Sequence, residues 1–171
     1  MLLEIEALLR ARQSPGEPST QVGTVPRLDA RDYRGRVWAT RERPWVDRLA
    51  SAWLIRRFVD RKARILWLKD IRRCPKDALG FDFDGARFSH VGTRVTFEVL
   101  TASFGLEGDH ALMRVAALVH CLDVGGAPVA EAAGMAAVLT GLREQYRKDD
   151  ALLSAASAVF DGLYIGYQQE E

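Results

Sequence analysis

The sequence is poor in cysteine, and its two cysteines are not arranged to bind a metal or to form a disulfide framework. Cys74 and Cys121 lie far apart, and neither belongs to a Cys-x-x-Cys pair. This spacing argues against a structural zinc knuckle and against a disulfide-stapled fold. A reducing cytoplasm is therefore the expected compartment. The sequence also has no Gly-rich phosphate loop and no Ser/His/Asp arrangement that would indicate a serine hydrolase.

Long apolar runs are also lacking. No stretch of about 18 apolar residues occurs, so we expect no membrane-spanning segment. The opening residues include Glu4 and Glu6 and have no basic start before an apolar stretch, which makes them a poor secretory signal. Both absences favour a cytoplasmic protein that does not contact a membrane.

The net charge is close to zero but is divided unevenly along the chain. Residues 1–76 contain 18 Lys/Arg and 9 Asp/Glu, a net charge of +9, whereas residues 77–171 contain 6 and 14, a net charge of −8. This division predicts either a basic patch for an anionic partner or two halves that attract each other. Many of the arginines are equally compatible with a solvated face or with ion pairs to the second half.

A chain of 171 residues with 48% hydrophobic content fits one domain with a short appendage. Residues 2–12 have leucine and isoleucine at helical spacing, which predicts a short amphipathic helix. Residues 13–35 are rich in Pro, Gly and polar residues, so residues 1–35 are expected to form a helix plus a linker or arm. That helix would dock on the domain or on another chain, which leaves a homodimer open. Residues 36–171 would form the compact domain.

The first part of this domain alternates strand and helix. Val37–Thr40 and Arg64–Lys69 are predicted strands, and Val46–Asp60 between them is a predicted helix. The second strand is apolar on both faces, which predicts a buried position. This order indicates a right-handed βαβ unit. Asp84-Gly85, between two alternating segments, predicts a β-hairpin.

Further along, the pattern becomes predominantly helical. Four helices are predicted to begin at about Arg94, His110, Pro128 and Asp149 or Asp150. Thr93, Asp109 and either Asp149 or Asp150 are predicted N-caps, and Gly105 and Gly125-Gly126 are predicted helix ends. The predicted fold class is α/β, with a small βαβ and hairpin sheet in the first half followed by a predominantly helical second half.

The predicted junction between the first strand and the first helix is rich in arginine and tryptophan. Five arginines and three tryptophans lie between Val37 and Phe58. Exposed N–H groups and the positive end of a helix favour anions at such a junction, and guanidinium forks suit oxyanions. We therefore predict an anion cradle formed by Arg41, Arg43 and Arg48. The alternative is that these arginines face solvent or the acidic second half.

Four side chains form the metal site that the sequence predicts: His90, Glu98, His120 and Asp123. His120 and Asp123 are three residues apart on a predicted helix and therefore share a face. Glu98 lies in a helix that is apolar almost all round, where a carboxylate is costly unless it is paired or bound to a metal. Two imidazoles and two carboxylates suit Zn, Fe or Mn. The alternative is that His120 and Asp123 brace a helix end and that Glu98 pairs with an arginine.

Several motifs between about residues 36 and 165 occur together in one known family. They are Trp38-Ala39-Thr40-Arg41, Arg43-Pro44, Val46 to Phe58, Phe88-Ser89-His90, Thr96-Phe97-Glu98, Phe104-Gly105-Leu106, Val119-His120 with Asp123, and Phe160 to Tyr164. In these motifs the chain closely resembles the C-terminal domain of the chromate resistance protein ChrB family. The first run, which ends at Phe58, is highly specific.

The resemblance implies a role in chromate resistance, often as a chromate-responsive regulator. Full-length members carry an N-terminal region thought to bind DNA, and the first 35 residues leave no room for it, so we expect no DNA-binding region here. The chain departs from the family at Cys121, where the family usually has the first acidic residue of His-Asp-Ile-Asp. It also has Thr93 and Val95 where an acidic residue and a cysteine are usual. These departures would shift the metal preference or the activity.

The resulting hypothesis is a cytoplasmic domain that senses or processes chromate or a similar small oxyanion. The arginine cradle would hold the anion beside the metal site. Two alternatives stay open. In the first, a metal-dependent hydrolase or redox enzyme uses Glu98 as the catalytic general base toward a metal-bound water. In the second, a metal-free module grips a phosphate-bearing partner or nucleic acid, and its binding weakens steeply with salt.

Overall fold

The computed structural model describes residues 18–170 and contains a small parallel sheet. The central strand is β1 (Val37–Arg41), with β2 (Arg64–Leu68) on one side and β3 (Leu79–Gly80) on the other. Both neighbours run parallel to β1. In this register Trp38 stands opposite Ile65 of β2 and Leu79 of β3.

Five α-helices complete the described part of the chain. They are α1 (Val46–Leu54), α2 (Thr96–Ser103), α3 (His110–Asp123), α4 (Ala132–Gln145) and α5 (Asp149–Gln168). Four of them follow the sheet, which confirms the predicted α/β class with a mainly helical second half. Helices α2 and α4 begin slightly later than predicted. None of the helices described here combines the length and the apolar character needed to cross a membrane.

Helix α1 connects β1 to β2 and is deeply buried. Every residue from Val46 to Leu54 is buried, because α2, α3 and α5 pack around the helix. The ring of Trp53 stacks on Phe97 of α2 at a centroid distance of 6.4 Å and lies 5.6 Å from Phe160 of α5. The chain then continues to Val59 in a wider, π-helical turn. The predicted strand–helix–strand unit is confirmed, with its two strands parallel.

The prediction of a buried second strand is wrong, because β2 lies at the edge of the sheet. Ile65 and Trp67 pack against the helical core and are half-buried. On the opposite face, the described residues cover the sheet with a small cluster around Ala39, and Leu66 is 37% exposed. An apolar sequence on both faces therefore did not guarantee a central position.

The predicted hairpin at Asp84-Gly85 is also wrong. A turn does form there, and the N–H of Ala86 donates to the carbonyl of Phe83 at 3.0 Å. However, the segments on either side meet through a parallel bridge between Phe81 and Phe88, not through antiparallel pairing. Both of these phenylalanines are buried in the core, so we attribute the looped path to the packing of their rings.

Of the three N-terminal helix caps predicted from the sequence, one is confirmed and two are wrong. Asp109 caps α3 as predicted, because its side chain accepts an N–H bond from the first turn. Thr93 does not cap α2, whose N-cap residue is Val95. Asp149 is already the first residue of α5, and its carboxylate accepts the backbone N–H of Arg43 at 2.8 Å. This acidic residue therefore joins the two halves of the chain.

The described part of the predicted arm lies along the domain. The N–H of Gln21 donates to the carbonyl of His90 at 3.0 Å, and the N–H of Leu28 donates to the carbonyl of Ser103 at 2.7 Å. The side chain of Leu28 also packs against the core. The amphipathic helix predicted over residues 2–12 lies outside the described residues, so its docking stays a prediction.

Asp60 holds the start of β1 against the end of the turn that follows α1. It is 1% exposed, and its carboxylate accepts four hydrogen bonds of 2.8–3.2 Å. The donors are the backbone N–H groups of Gly35, Arg36 and Lys62 and the indole N–H of Trp38. Burial by itself would raise the pKa of Asp60, but the four donors outweigh burial and hold this pKa below its usual value.

We expect Asp60→Ala to lower the free energy of unfolding by about 2–4 kcal/mol, because several buried donors lose their acceptor. Since the folded-state pKa is lowered, the contribution of Asp60 is present above its unfolded-state pKa of about 4. It is lost as the pH falls through the lower folded-state value. Urea unfolding of both proteins at a series of pH values from about 7 downward measures this difference.

The control is Asp70→Ala, because Asp70 accepts the N–H of Arg72 at 3.0 Å in an exposed turn. Loss of that bond and of the exposed ion pair between Asp70 and the Arg72 guanidinium should cost about 1 kcal/mol or less. Equal stability of the two variants would contradict the role assigned to Asp60.

Candidate functional site

Asp47 links the start of α1 to the start of α2. Its carboxylate accepts the backbone N–H of Thr96 at 2.9 Å and that of Phe97 at 2.8 Å. These first N–H groups of α2 have no partner inside their own helix, and the positive end of the helix favours a carboxylate. The hydroxyl of Ser51, one turn along α1, donates to the same carboxylate at 3.3 Å. Asp47 is thus a buried cap for α2 that is supplied by another helix.

Three carboxylates surround the imidazole of His90, which lies in the loop before α2. The Nε2 atom of His90 is 3.2 Å from Asp47 Oδ2, 3.5 Å from Asp82 Oδ1 and 3.6 Å from Asp123 Oδ2. Asp82 follows β3, and Asp123 ends α3. These four residues, each at most 8% exposed, are called the His90 cluster below. The fold therefore brings together the sheet, α1, α3 and the loop before α2 at one point.

Two further partners orient Asp82 within the His90 cluster. The Nε atom of Arg48 donates to Asp82 Oδ2 at 3.0 Å, and the hydroxyl of Thr96 donates to Asp82 Oδ1 at 2.7 Å. Arg48 is only 5% exposed, so this is a buried ion pair. The backbone of Asp82 has a φ of 57°, which is uncommon for a residue other than glycine. Tight local contacts hold such a conformation in place.

The cluster strongly shifts the pKa values of its members. Burial, with the nearby charge of Asp82, raises the pKa of Asp47 to about 6. Burial lowers the pKa of His90, but the hydrogen bonds with Asp47 and Asp82 outweigh it and raise this pKa to about 10. Burial also raises the pKa of Asp82, and the contacts with His90 and Arg48 more than reverse that effect. Without a metal, the imidazolium of His90 and the guanidinium of Arg48 are the cations that face these carboxylates.

The same groups offer a ligand set for a metal cation. One ligand atom from each of Asp47, His90 and Asp123 lies within 4.8 Å of the others. Among residues 18–170 this is the one group of three or more His, Cys, Asp or Glu side chains with that proximity. Imidazole and carboxylate ligands suit Zn, Mn and Fe. The donor chemistry and the spacing therefore fit a transition metal.

The four ligands predicted from the sequence fall into two pairs. His90 lies beside Asp123 in the His90 cluster, whereas His120 Nδ1 lies 2.8 Å from Glu98 Oε2. Glu98 Oε2 also accepts the N–H of Val95 at 2.9 Å, so it caps its own helix. His120 and Asp123 share a face of α3 as predicted, but they serve different partners. The Glu98–His120 pair is the more exposed one, with side-chain exposures of 26% and 28%.

Asp47 and Asp82 are the site residues that the sequence reasoning missed. Asp82 stands between Phe81 and Phe83, and a carboxylate flanked by aromatic residues is costly unless it is paired or metal-bound. The same argument singled out Glu98 and would have found Asp82. Asp47 gives no such signal in the sequence. No local pattern shows that its carboxylate reaches the start of another helix.

The predicted arginine cradle has internal partners in this structure. The guanidinium of Arg43 donates to the carbonyls of Arg143, Tyr146 and Arg147 at 2.6–3.2 Å, at the end of α4. Arg43 has a φ of 52°, which agrees with a position fixed by these bonds. Arg48 is paired with Asp82, and Arg41 is half-buried at the end of β1. An anion would have to share or replace these contacts, and the cradle stays a prediction.

A fourth guanidinium, that of Arg143, lies close to this group and was not predicted from the sequence. Its Nη2 atom donates to the carbonyl of Arg43 at 3.1 Å, and its guanidinium carbon lies 5.7 Å from the centre of the Trp45 ring. Its Nε atom is buried and has no hydrogen-bond partner among the described residues. Burial, followed by the charges of Arg43 and Arg48, lowers the pKa of Arg143. A bound anion would balance the crowded positive charge and accept a hydrogen bond from the unpaired Nε–H.

Fold and site together define a small α/β domain in which a buried histidine is surrounded by carboxylates. The family described as "ChrB, C-terminal domain" matches residues 38–167. The protein named Protein ChrB from Cupriavidus metallidurans is 60% identical over 154 residues, which cover 90% of this chain and 48% of that relative. The chain therefore belongs to the ChrB C-terminal domain family, as the sequence motifs predicted, and it spans about half the length of this curated relative. No solved structure matches it.

We expect Arg48→Met to lower the free energy of unfolding by about 3–5 kcal/mol, because it leaves Asp82 buried without its arginine. The matched control is Arg94→Met, which breaks an ion pair of similar length, 3.3 Å to Glu107, with both side chains more than a third exposed. This exposed pair should contribute only about 0–1 kcal/mol. Urea unfolding in the presence of a chelator compares the two, and equal losses would contradict the role of burial at Asp82.

Proposed function

We propose that this chain is a metal-binding domain that serves chromate resistance and holds a divalent transition metal at Asp47, His90 and Asp123. Membership of the ChrB C-terminal domain family supports the chromate role. The observation that carries the metal assignment is the convergence of three buried ligand atoms within 4.8 Å of one another. Zn, Fe and Mn all suit this donor set.

Charge balance supports a divalent cation at this point. With His90 protonated, the three carboxylates, His90 and Arg48 carry a formal charge of −1. With a divalent cation and a neutral imidazole, the same groups sum to zero. Uncompensated charge in a buried site is costly, so the metal-bound state is the better balanced one.

The hydrogen bonds of the cluster also support a preorganised site. Both oxygens of Asp47 are oriented by N–H groups of α2, and Asp82 is oriented by Arg48 and Thr96. Carboxylate oxygens retain further lone pairs when they accept such bonds. Supporting contacts of this kind orient metal ligands and raise affinity. A bound metal would supply a Lewis-acidic centre there.

A sensing role is better supported than the enzyme alternative. The proposed ligands are at most 8% exposed, which suits a metal that stabilises one state of the domain. The predicted general base, Glu98, instead bonds the N–H of Val95 and the ring of His120. A cytoplasmic location is also part of the proposal, and the free thiols of Cys74 and Cys121 support it.

An oxyanion site at the arginines is a second component of the proposed function. Arg41, Arg43 and Arg48 were predicted to hold chromate or a similar anion, and Arg143 is now added to them. The unpaired Nε–H of Arg143 favours this assignment, because an oxyanion is the acceptor that such a buried donor lacks. Arg48 also contacts Asp82, so an anion here would lie beside the His90 cluster.

The metal assignment predicts that tag-free protein contains about one transition-metal ion per chain. Asp123→Asn should lose most of this metal, because a carboxamide replaces a charged ligand. Glu98→Gln should keep it, since the carboxylate of Glu98 contacts His120 and the N–H of Val95 and is not one of the proposed ligands. Elemental analysis after growth with Zn, Fe and Mn measures the content, and circular dichroism confirms folding.

Two results would count against this assignment. Wild-type protein that is folded but contains no metal would contradict the proposed metal centre. Loss of metal in Glu98→Gln would instead favour the ligand set predicted from the sequence.

The oxyanion assignment predicts that Arg143→Gln weakens chromate binding about tenfold or more, the loss expected for a charge-assisted hydrogen bond. The matched control is Arg147→Gln, since Arg147 is close in sequence but its side chain is 78% exposed. Titration calorimetry with chromate and with sulfate measures both variants. If Arg143→Gln binds chromate with unchanged affinity, Arg143 is not part of the oxyanion site.

A further inference from the structure

A basic groove lies where the turn after α1 meets the segment that precedes β1. Its cations are Arg34, Arg57, Arg61 and Lys62, and its volume is about 860 Å³. A second hollow of about 440 Å³ adjoins it, shares Arg57 and Arg61 and adds Arg56. Together the two hollows form one continuous surface, called the basic groove below, with five cationic side chains. It uses none of the residues assigned to the metal or the oxyanion.

Most of the charge in the basic groove is uncompensated. Arg34, Arg56, Arg61 and Lys62 form no ion pair with any carboxylate among residues 18–170. The carboxylate within the groove, Asp60, accepts its four hydrogen bonds from neutral N–H groups and forms no ion pair with these cations, so its charge offsets at most one of the five. The groove therefore presents a positive surface to solvent.

Two of these cations are held in place. Arg57 bonds Asp161 at 2.8 Å and lies over the rings of Phe58 and Tyr164 at 5.6 and 5.1 Å. Arg56 donates through Nε to the carbonyl of Ala63 at 3.3 Å, so its remaining N–H groups have a fixed direction. Fixed guanidinium groups lose less side-chain entropy when they bind an anion.

We propose that the basic groove binds the phosphate backbone of nucleic acid without reading its sequence. A run of cations across two adjoining hollows matches a partner with regularly repeated negative charge. Arginine forks suit phosphate oxygens. The ring of Tyr164 is only 6% exposed and that of Phe58 lies under Arg57, so neither is free to stack on a base. The groove can therefore contact the sugar–phosphate backbone of the nucleic acid, which carries no sequence information.

An acidic peptide fits the basic groove less well. Peptide recognition uses apolar anchor pockets or a free strand edge in addition to charge. The groove is lined by the π-helical segment Ile55–Val59, the turn that follows it and α5, so it offers no free strand edge. Val59 and Tyr164 are only 5% and 6% exposed, and the ring of Phe58 lies under Arg57. This proposal goes beyond the metal and oxyanion roles and does not depend on them. It also runs against the expectation that the chain contains no DNA-binding region.

The test measures fluorescence anisotropy of a labelled random-sequence duplex of about 20 base pairs with the full chain, from about 50 to 200 mM salt. Affinity should fall steeply, with a log–log slope of about −4 if four or five phosphates are neutralised. The variant Arg61→Glu/Lys62→Glu should bind at least about tenfold more weakly, with a slope shallower by about 2. A second random sequence should bind equally well.

The matched control is Arg72→Glu/Arg73→Glu, which makes the same charge change at two exposed residues outside the basic groove. It should keep most of the wild-type affinity. Equal losses in both variants would show an effect of net charge alone and overturn the proposal. It would also be overturned by undetectable binding, or by a polyglutamate peptide that competes as well as DNA does. Metal content stays unchanged in the groove variant, which separates this test from that of the metal site.

Discussion

The buried carboxylate of Asp47 is the contact on which the rest of the site depends. It belongs to the first turn of α1, yet it caps the N-terminus of α2 and lies against the ring of His90. A single side chain thus joins the first α-helix, the second α-helix and the loop that carries the histidine. Because the α2 N–H groups need an acceptor and the imidazolium needs a counter-charge, one buried carboxylate satisfies both requirements.

The uneven distribution of charge along the sequence has two consequences in the structure. Basic residues of the first half do pair with acidic residues of the second half, as in Arg48 with Asp82 and Arg57 with Asp161. Other cations of the first half, such as Arg61, form no ion pair in the described part of the chain. The two explanations offered by the sequence, attraction between halves and a basic patch, are therefore compatible. The first is seen in the ion pairs between the halves, and the second in the exposed cations of the basic groove.

The sequence predicted the elements far better than it predicted their partners. Helical periodicity and the cap at Asp109 placed α3 correctly, because these signals are local. His90 and Asp123 were predicted as site residues and do lie together. Glu98 was expected beside them but pairs with His120, because His120 and Asp123 contact different neighbours although both lie on α3. Asp47 was missed because its role depends on contacts 49 and 50 residues away.

The amino-acid sequence by itself determined the family, the α/β class and the helical second half, since these follow from motifs, periodicity and capping residues. It could not determine that β2 is an edge strand or that Asp84-Gly85 closes no hairpin, because both depend on which faces the core covers. Only the tertiary structure grouped three carboxylates around His90 and committed Arg43 to the end of α4. Such grouping is decided by packing between distant segments, which no local spacing encodes.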